Sequence, residues 1–189
     1  MKATEVLSEE HRTIERVIGS LETGAWLLSQ DGTIRPEFFI EATNFIKGFA
    51  DGCHHMKEEG VLFKAMVANG MPLEGSPVAA MLQEHEIGRE YTRGLREAAE
   101  RLKAGDQTAR PDVIYNAKHY AALLRQHIGK EDQVLFPMAG EVIPQARQAS
   151  LVERFEKIEH EETGEGVHEK YLALENALEE EATGVTAKA

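Results

Sequence analysis

The decapeptide HHMKEEGVLF, His54 to Phe63, recurs further along the chain as HIGKEDQVLF, His127 to Phe136. In both copies a histidine is followed four positions later by a glutamate. Residues four apart share one face of a helix. Aligning KEEGVLF with KEDQVLF pairs Glu58 with Glu131 and His54 with His127, and likewise Glu59 with Asp132 and His55 with Ile128. A fold that accepts this sequence must find room, twice, for a histidine and a carboxylate on the same side of a helix.

The surrounding sequence supplies the helices. Pro36, Pro77, Pro111 and Pro144 each precede a stretch of 3.6-residue apolar period, where a missing N–H is harmless. Ser76 stands before Pro77 as an N-cap. Gly32, Gly70, Gly105 and Gly140 fall between the periodic stretches. The spacing predicts helices over 4–30, 36–69, 76–104 and 111–139, then a C-terminal part over 146–182 that TGEG, Thr163 to Gly166, breaks in two. Strand signals are poor. The expected fold is all-α, an up-down-up-down four-helix bundle over 1–145, with 146–189 a helical extension packed on the same domain and a fraying end.

Helix rotation of about 100° per residue converts position into direction. On the fourth helix, with Leu124 at zero, His127 lies near about −60° and Glu131 near about −20°, inside the apolar stripe. On the second, with Ile46 at zero, His54 lies near about +80° and Glu58 near about +120°, while His55 points near about 180°, away from the core. His11 on the first helix sits beside Leu7 and Ile18, and His85 on the third aligns with Val78 and Met81. Four helices thus each send one histidine inward, and two also send a glutamate. The inward set is His11, His54, Glu58, His85, His127 and Glu131.

A buried, ionised carboxylate without a partner costs at least several kcal/mol, so the set asks for a cation. Imidazole with carboxylate suits iron, manganese or zinc. Six protein ligands exceed what one catalytic zinc takes and fit two metals sharing carboxylates. His55, His119, His160 and His168 are read as surface or outlying residues, and Cys53 as a small buried hydrophobe. Glu10 is either an acceptor for an imidazole N–H or an exposed first-turn charge. Gly88, one turn after His85, either leaves room for a small ligand or serves helix packing. EGVH, Glu165 to His168, has the Glu-x-x-His spacing of ferritin-like di-iron helices, but a site of that kind needs two copies.

The phrases EEHRTIERV, FADGCHHMKEEGVLF, LQEHEIGREYTRGL and LLRQHIGKEDQVLFP together resemble the hemerythrin-like, or HHE cation-binding, domain of bacterial type, over residues 4–139. The resemblance implies two iron ions with an oxo or hydroxo bridge, held by His11, His54, Glu58, His85, His127 and Glu131, with Glu58 and Glu131 bridging. Oxygen-carrying hemerythrins have a second histidine on the third helix; here Arg89 stands four residues after His85. One imidazole fewer argues against simple oxygen carriage.

Composition narrows the setting. The formal charge of −12 argues against nucleic acid, whose phosphates require a Lys/Arg surplus. No basic amphipathic or membrane-spanning run is present, and the charged N-terminus lacks the apolar core of a signal peptide, so a cytoplasmic protein is expected. The expected ligand is O2, NO or peroxide. A binding protein is the first expectation, and an enzyme decomposing hydrogen peroxide or acting on nitrogen oxides, or an iron-handling protein, the alternatives.

Overall fold

The computed structural model describes residues 2–30, 34–163 and 167–186. Six helices account for almost all of them: α1 (Ala3–Ser29), α2 (36–68), α3 (Pro77–Lys103), α4 (110–142), α5 (148–163) and α6 (Val167–Thr186). Gly140, expected between helices, lies inside α4; the other expected breaks within the described residues follow the local chemistry. Pro36 and Pro77 open α2 and α3, and Ser76 Oγ accepts the Ala79 N–H at 3.3 Å. Gly70 (φ 106°) and Gly105 (φ 97°) adopt the left-handed backbone just past the ends of α2 and α3, where a side chain would be strained. The turn at Gly32 and the break at 164–166, which takes in Glu165 and Gly166 of EGVH, fall on residues outside the described set. The C-terminal segment expected to fray is helical as far as Thr186.

The bundle has two apolar cores rather than one. One gathers Ile14, Leu21, Phe45, Phe49, Leu95 and Leu124; the other gathers Leu7, Leu62, Met66, Met81, Leu135 and Phe155. Along α1 the second core's Leu7 comes before His11, and the first core's Ile14 after it. Along α2 the order is reversed, with Phe49 before His54 and Leu62 after Glu58. In α3, Met81 precedes His85 and Leu95 follows. In α4, Leu124 precedes His127 and Leu135 follows Glu131. The alternation is the up-down-up-down course of the chain. It also places the histidines at one level, as a polar layer between two dry ends.

The C-terminal helices pack on this bundle. Leu151 and Phe155 of α5 join the core around Leu7, and Leu178 and Ala182 of α6 join the other. Tyr171 of α6 meets Phe45 and Phe49 at ring-centroid separations of 6.1 and 6.3 Å. Gly48 makes this possible: a Cβ there would lie 1.6 Å from the Tyr171 Oη. Gly48→Ala gains helix propensity yet forces the ring out, so a net loss of about 1–3 kcal/mol is expected in urea unfolding. Adding Tyr171→Ala should remove most of the clash, a coupling that a double-mutant cycle would detect.

Candidate metal centre

The structure brings all six expected residues together at the polar layer, each at most 2% exposed. It adds a seventh. His55 is buried at 6% exposure and stacks on His85 with ring centroids 3.8 Å apart, a correction to the expectation that it points away. The reason is backbone geometry. Ile46–His55 and Glu58–Leu62 are π-helical, as is Glu131–Leu135 in α4. Hydrogen bonds that span five residues widen the turn to roughly 80° per residue. Nine such steps from Ile46 complete about two turns, so His55 faces inward with Ile46 and His54 follows close beside it. Of the other outlying histidines, His119 and His160 are exposed, and the side chain of His168 is outside the described residues.

Each imidazole is held by a carboxylate at its outer nitrogen. His11 Nδ1 meets Asp132 Oδ1 at 2.9 Å, His54 Nδ1 meets Glu10 Oε2 at 2.9 Å, and His85 Nδ1 meets Glu59 Oε1 at 2.7 Å. His127 Nδ1 meets Glu84 Oε2 at 3.0 Å, and His55 Nδ1 meets Asp51 Oδ1 at 3.4 Å. A carboxylate there fixes the ring and the tautomer, leaving Nε2 free for a metal. The first four pairs have an internal two-fold pattern. Exchanging α1 with α3 and α2 with α4 converts Glu10–His54 into Glu84–His127 and Asp132–His11 into Glu59–His85. The repeat lysines obey it too, Lys57 binding Glu10 and Lys130 binding Glu84. Two features break the pattern. Ile128 stands where His55 stands, and Lys57 is fully buried beneath Glu159 of α5 while Lys130 is 47% exposed.

The inner atoms face one another. Glu131 Oε2 lies 3.3 Å from His11 Nε2 and 3.2 Å from His127 Nε2; Glu58 lies 3.3 Å from His54 Nε2 and 3.5 Å from His85 Nε2. None of the four oxygens of Glu58 and Glu131, nor His11 Nε2, completes a hydrogen bond. Buried acceptors aimed at other acceptors are destabilising unless something positive sits among them. The donors fall into two groups, His55, Glu58, His85 and His127 on one side and His11, His54, Glu58 and Glu131 on the other, each with ligand atoms within 4.8 Å of one another. Glu58 belongs to both. This donor set fits metal cations.

Protons are the other available positive charge. Burial pushes the His54 imidazole down, but the Glu58 charge and the Glu10 contact outweigh it and hold it up to about 10. His11 and His127 are also raised against burial, by Asp132 and Glu131 and by Glu131 respectively. His55 is pushed well below the usual imidazole range by burial and by its neighbours' charges. A metal must displace the protons on Nε2. Adding metal to the metal-free protein in weak buffer at pH 7 should therefore release protons, readable with an indicator dye. By the same sign, the stabilisation from protonated His54 is full below about 6.5 and is lost as pH rises toward about 10. Melting temperatures of the metal-free protein should fall across that window.

Two other groups settle simply. Burial raises the Cys53 thiol to about 11, so it is an inert apolar filler. A cavity of about 290 Å³ opens against the centre at His55, His85 and His127, and Gly88 lines it.

A buried histidine and carboxylate centre between the four helices of a bundle defines a cation-binding helical protein. The chain belongs to the hemerythrin family: the hemerythrin HHE cation binding domain matches residues 2–139. Relatives described as uncharacterized proteins occur in Mycobacterium bovis and Mycobacterium tuberculosis. Each is 26% identical over 180 residues, covering 93% of this chain and 70% of the relative. No solved structure matches it. Among the described residues no helix is long and apolar enough to cross a membrane.

Proposed function

We propose that the chain is a non-haem di-iron protein that binds O2, or a related small molecule such as NO or peroxide, at a carboxylate-bridged centre. The observation that carries the reading is the set of buried, unpartnered oxygens of Glu58 and Glu131 facing imidazole Nε2 atoms whose outer nitrogens are already engaged. His55, His85 and His127 would hold one ion and His11, His54 and Glu131 the other, with Glu58, common to both donor groups, neutralising charge on each. Manganese or zinc could substitute for iron at such donors.

When bound, a pair of ferrous ions supplies two electrons to an oxygen-derived ligand. The chain's own part is positional. The carboxylates behind each imidazole fix the rings, and the apolar cores above and below exclude water. His55 supplies a third imidazole beside His85 and His127, where α3 carries Arg89 rather than a second histidine. The cavity on the His55 side gives a small molecule its approach. That cavity also favours a second reading, an enzyme that decomposes hydrogen peroxide or acts on nitrogen oxides, because turnover needs a path for exchange.

Metal analysis of protein purified under reducing, oxygen-free conditions tests the proposal. Two irons per chain and a new visible absorption band on admitting air are expected. A protein that holds no iron after reconstitution would overturn it. A reversible band with O2 distinguishes the binder from the enzyme, which would release O2 catalytically from peroxide.

A further inference from the structure

The cavity beside the centre is larger than those small ligands need. A water molecule accounts for about 30 Å³ of liquid volume, whereas the cavity measures about 290 Å³. Its walls are largely accounted for. Arg89 is engaged by Asp51, Glu59 and Glu86, and Arg96 by Asn44 and Glu100. Glu84 is engaged by His127 and Lys130. Three groups are left over. The Tyr120 hydroxyl is buried with no hydrogen-bond partner among the described residues. Burial keeps it protonated, and so a donor. At the rim, Lys47 and Arg93 are exposed, and neither has an acid partner among the described residues. Ile46 and Leu124 add apolar wall.

A buried hydroxyl needs an acceptor, so a donor with no protein partner marks a place where water, or a ligand oxygen that displaces it, accepts. Two unmatched cations at one mouth, on a chain of formal charge −12, select an acid. We propose that this cavity binds a small organic monoanion with an apolar body. Its acid group lies at Lys47 and Arg93, its carbon chain lies against Ile46 and Leu124, and its far end accepts the Tyr120 hydrogen bond. The site deepens the di-iron reading, on which it rests only in that His55, His85 and His127 line the same cavity. It makes an organic molecule, not only a diatomic or peroxide, the occupant.

Calorimetric titration of the full chain, loaded with redox-inert zinc, tests the proposal. The probes are straight-chain carboxylates from acetate to octanoate, with the matching alkylamines as controls. Affinity should rise with carboxylate chain length, and amines should bind about tenfold more weakly or worse. Tyr120→Phe should leave octanoate binding nearly unchanged and weaken 7-oxooctanoate, whose far ketone oxygen can accept the hydrogen bond, about fivefold to tenfold. The Lys47→Ala/Arg93→Ala pair should erase the preference for acids. Thr92→Trp, at the wall, and Gly88→Val should block binding, with folding of each variant checked by circular dichroism; a Cβ alone at Gly88 meets only ordinary contacts, the nearest at 3.6 Å from Leu124. The proposal is overturned if octanoate fails to saturate a metal-loaded, folded protein, or binds the blocked variants equally well. It is also overturned if binding vanishes on chelation yet ignores Lys47 and Arg93, since the acid would then sit on the metal. Zinc content is measured on each sample. A protein that takes no metal but binds octanoate refutes the di-metal centre and leaves the cavity site standing.

Discussion

Glu58→Gln is expected to strip the centre of both of the ions proposed for it. Glu58 is the one residue common to the two donor groups, and both of its oxygens are buried without a partner. Glutamine keeps the shape but replaces one acceptor oxygen with a donor nitrogen and removes the charge. A bridge then has one usable atom, and the ions lose a neutralising charge in a site where water cannot replace it. Metal content should fall from two per chain to none under conditions that load the unaltered protein. Stability gives an independent readout. Metal at a hundredfold excess over its dissociation constant adds about 2.7 kcal/mol, which for a chain of this length raises the melting temperature by roughly 5–10 °C. Chelator should therefore lower the melting temperature of the unaltered protein and leave that of Glu58→Gln unchanged. His54→Ala or Glu131→Ala, each confined to one group, should lose at least one ion. A Glu58→Gln protein that still holds two metals would remove the shared carboxylate from the account.

The four bundle helices were legible because their ends are written in residues with strong local preferences. Pro36, Ser76–Pro77, Gly70 and Gly105 lie at the boundaries that the apolar period predicts. The six inward residues were legible because an ionisable group inside an apolar stripe has few explanations. What a single helix could not reveal is the layer behind them. Asp132, Glu59 and Glu84 lie one step off the inward face and look, on their own helices, like solvent charges. Only the packing of a neighbouring helix turns each toward an imidazole. The sequence did carry a trace of this layer: an acid follows the repeat glutamate in both copies, a lysine precedes it in both, and Glu precedes His in both EH phrases. Glu10 was open between two roles, and the structure assigns it to His54 and Lys57. Gly48 and the cavity at Tyr120 depend on elements distant in sequence, and periodicity says nothing of them.

His55→Ala is expected to cost the protein one of the two ions proposed for the centre. On a uniform helix of about 100° per residue this histidine faces away from Ile46, and its mate in the second repeat is Ile128. Both facts argue that it is dispensable. The π-helical backbone of Ile46–His55 reverses the argument, because the wider turn brings His54 and His55 to the core together. His55 then shares a donor group with Glu58, His85 and His127, its Nδ1 backed by Asp51. Removing it leaves that group two imidazoles and leaves the group of His11, His54, Glu58 and Glu131 untouched, so the loss should be of one ion and not of both. Alanine also deletes the ring stacked on His85, opening space that water can enter, which weakens the remaining donors further. His119→Ala, at an exposed histidine on α4, is the matched control and should keep two ions. If His55→Ala also kept two, the regular-helix reading would be correct and the π-turn would have no consequence for the metal.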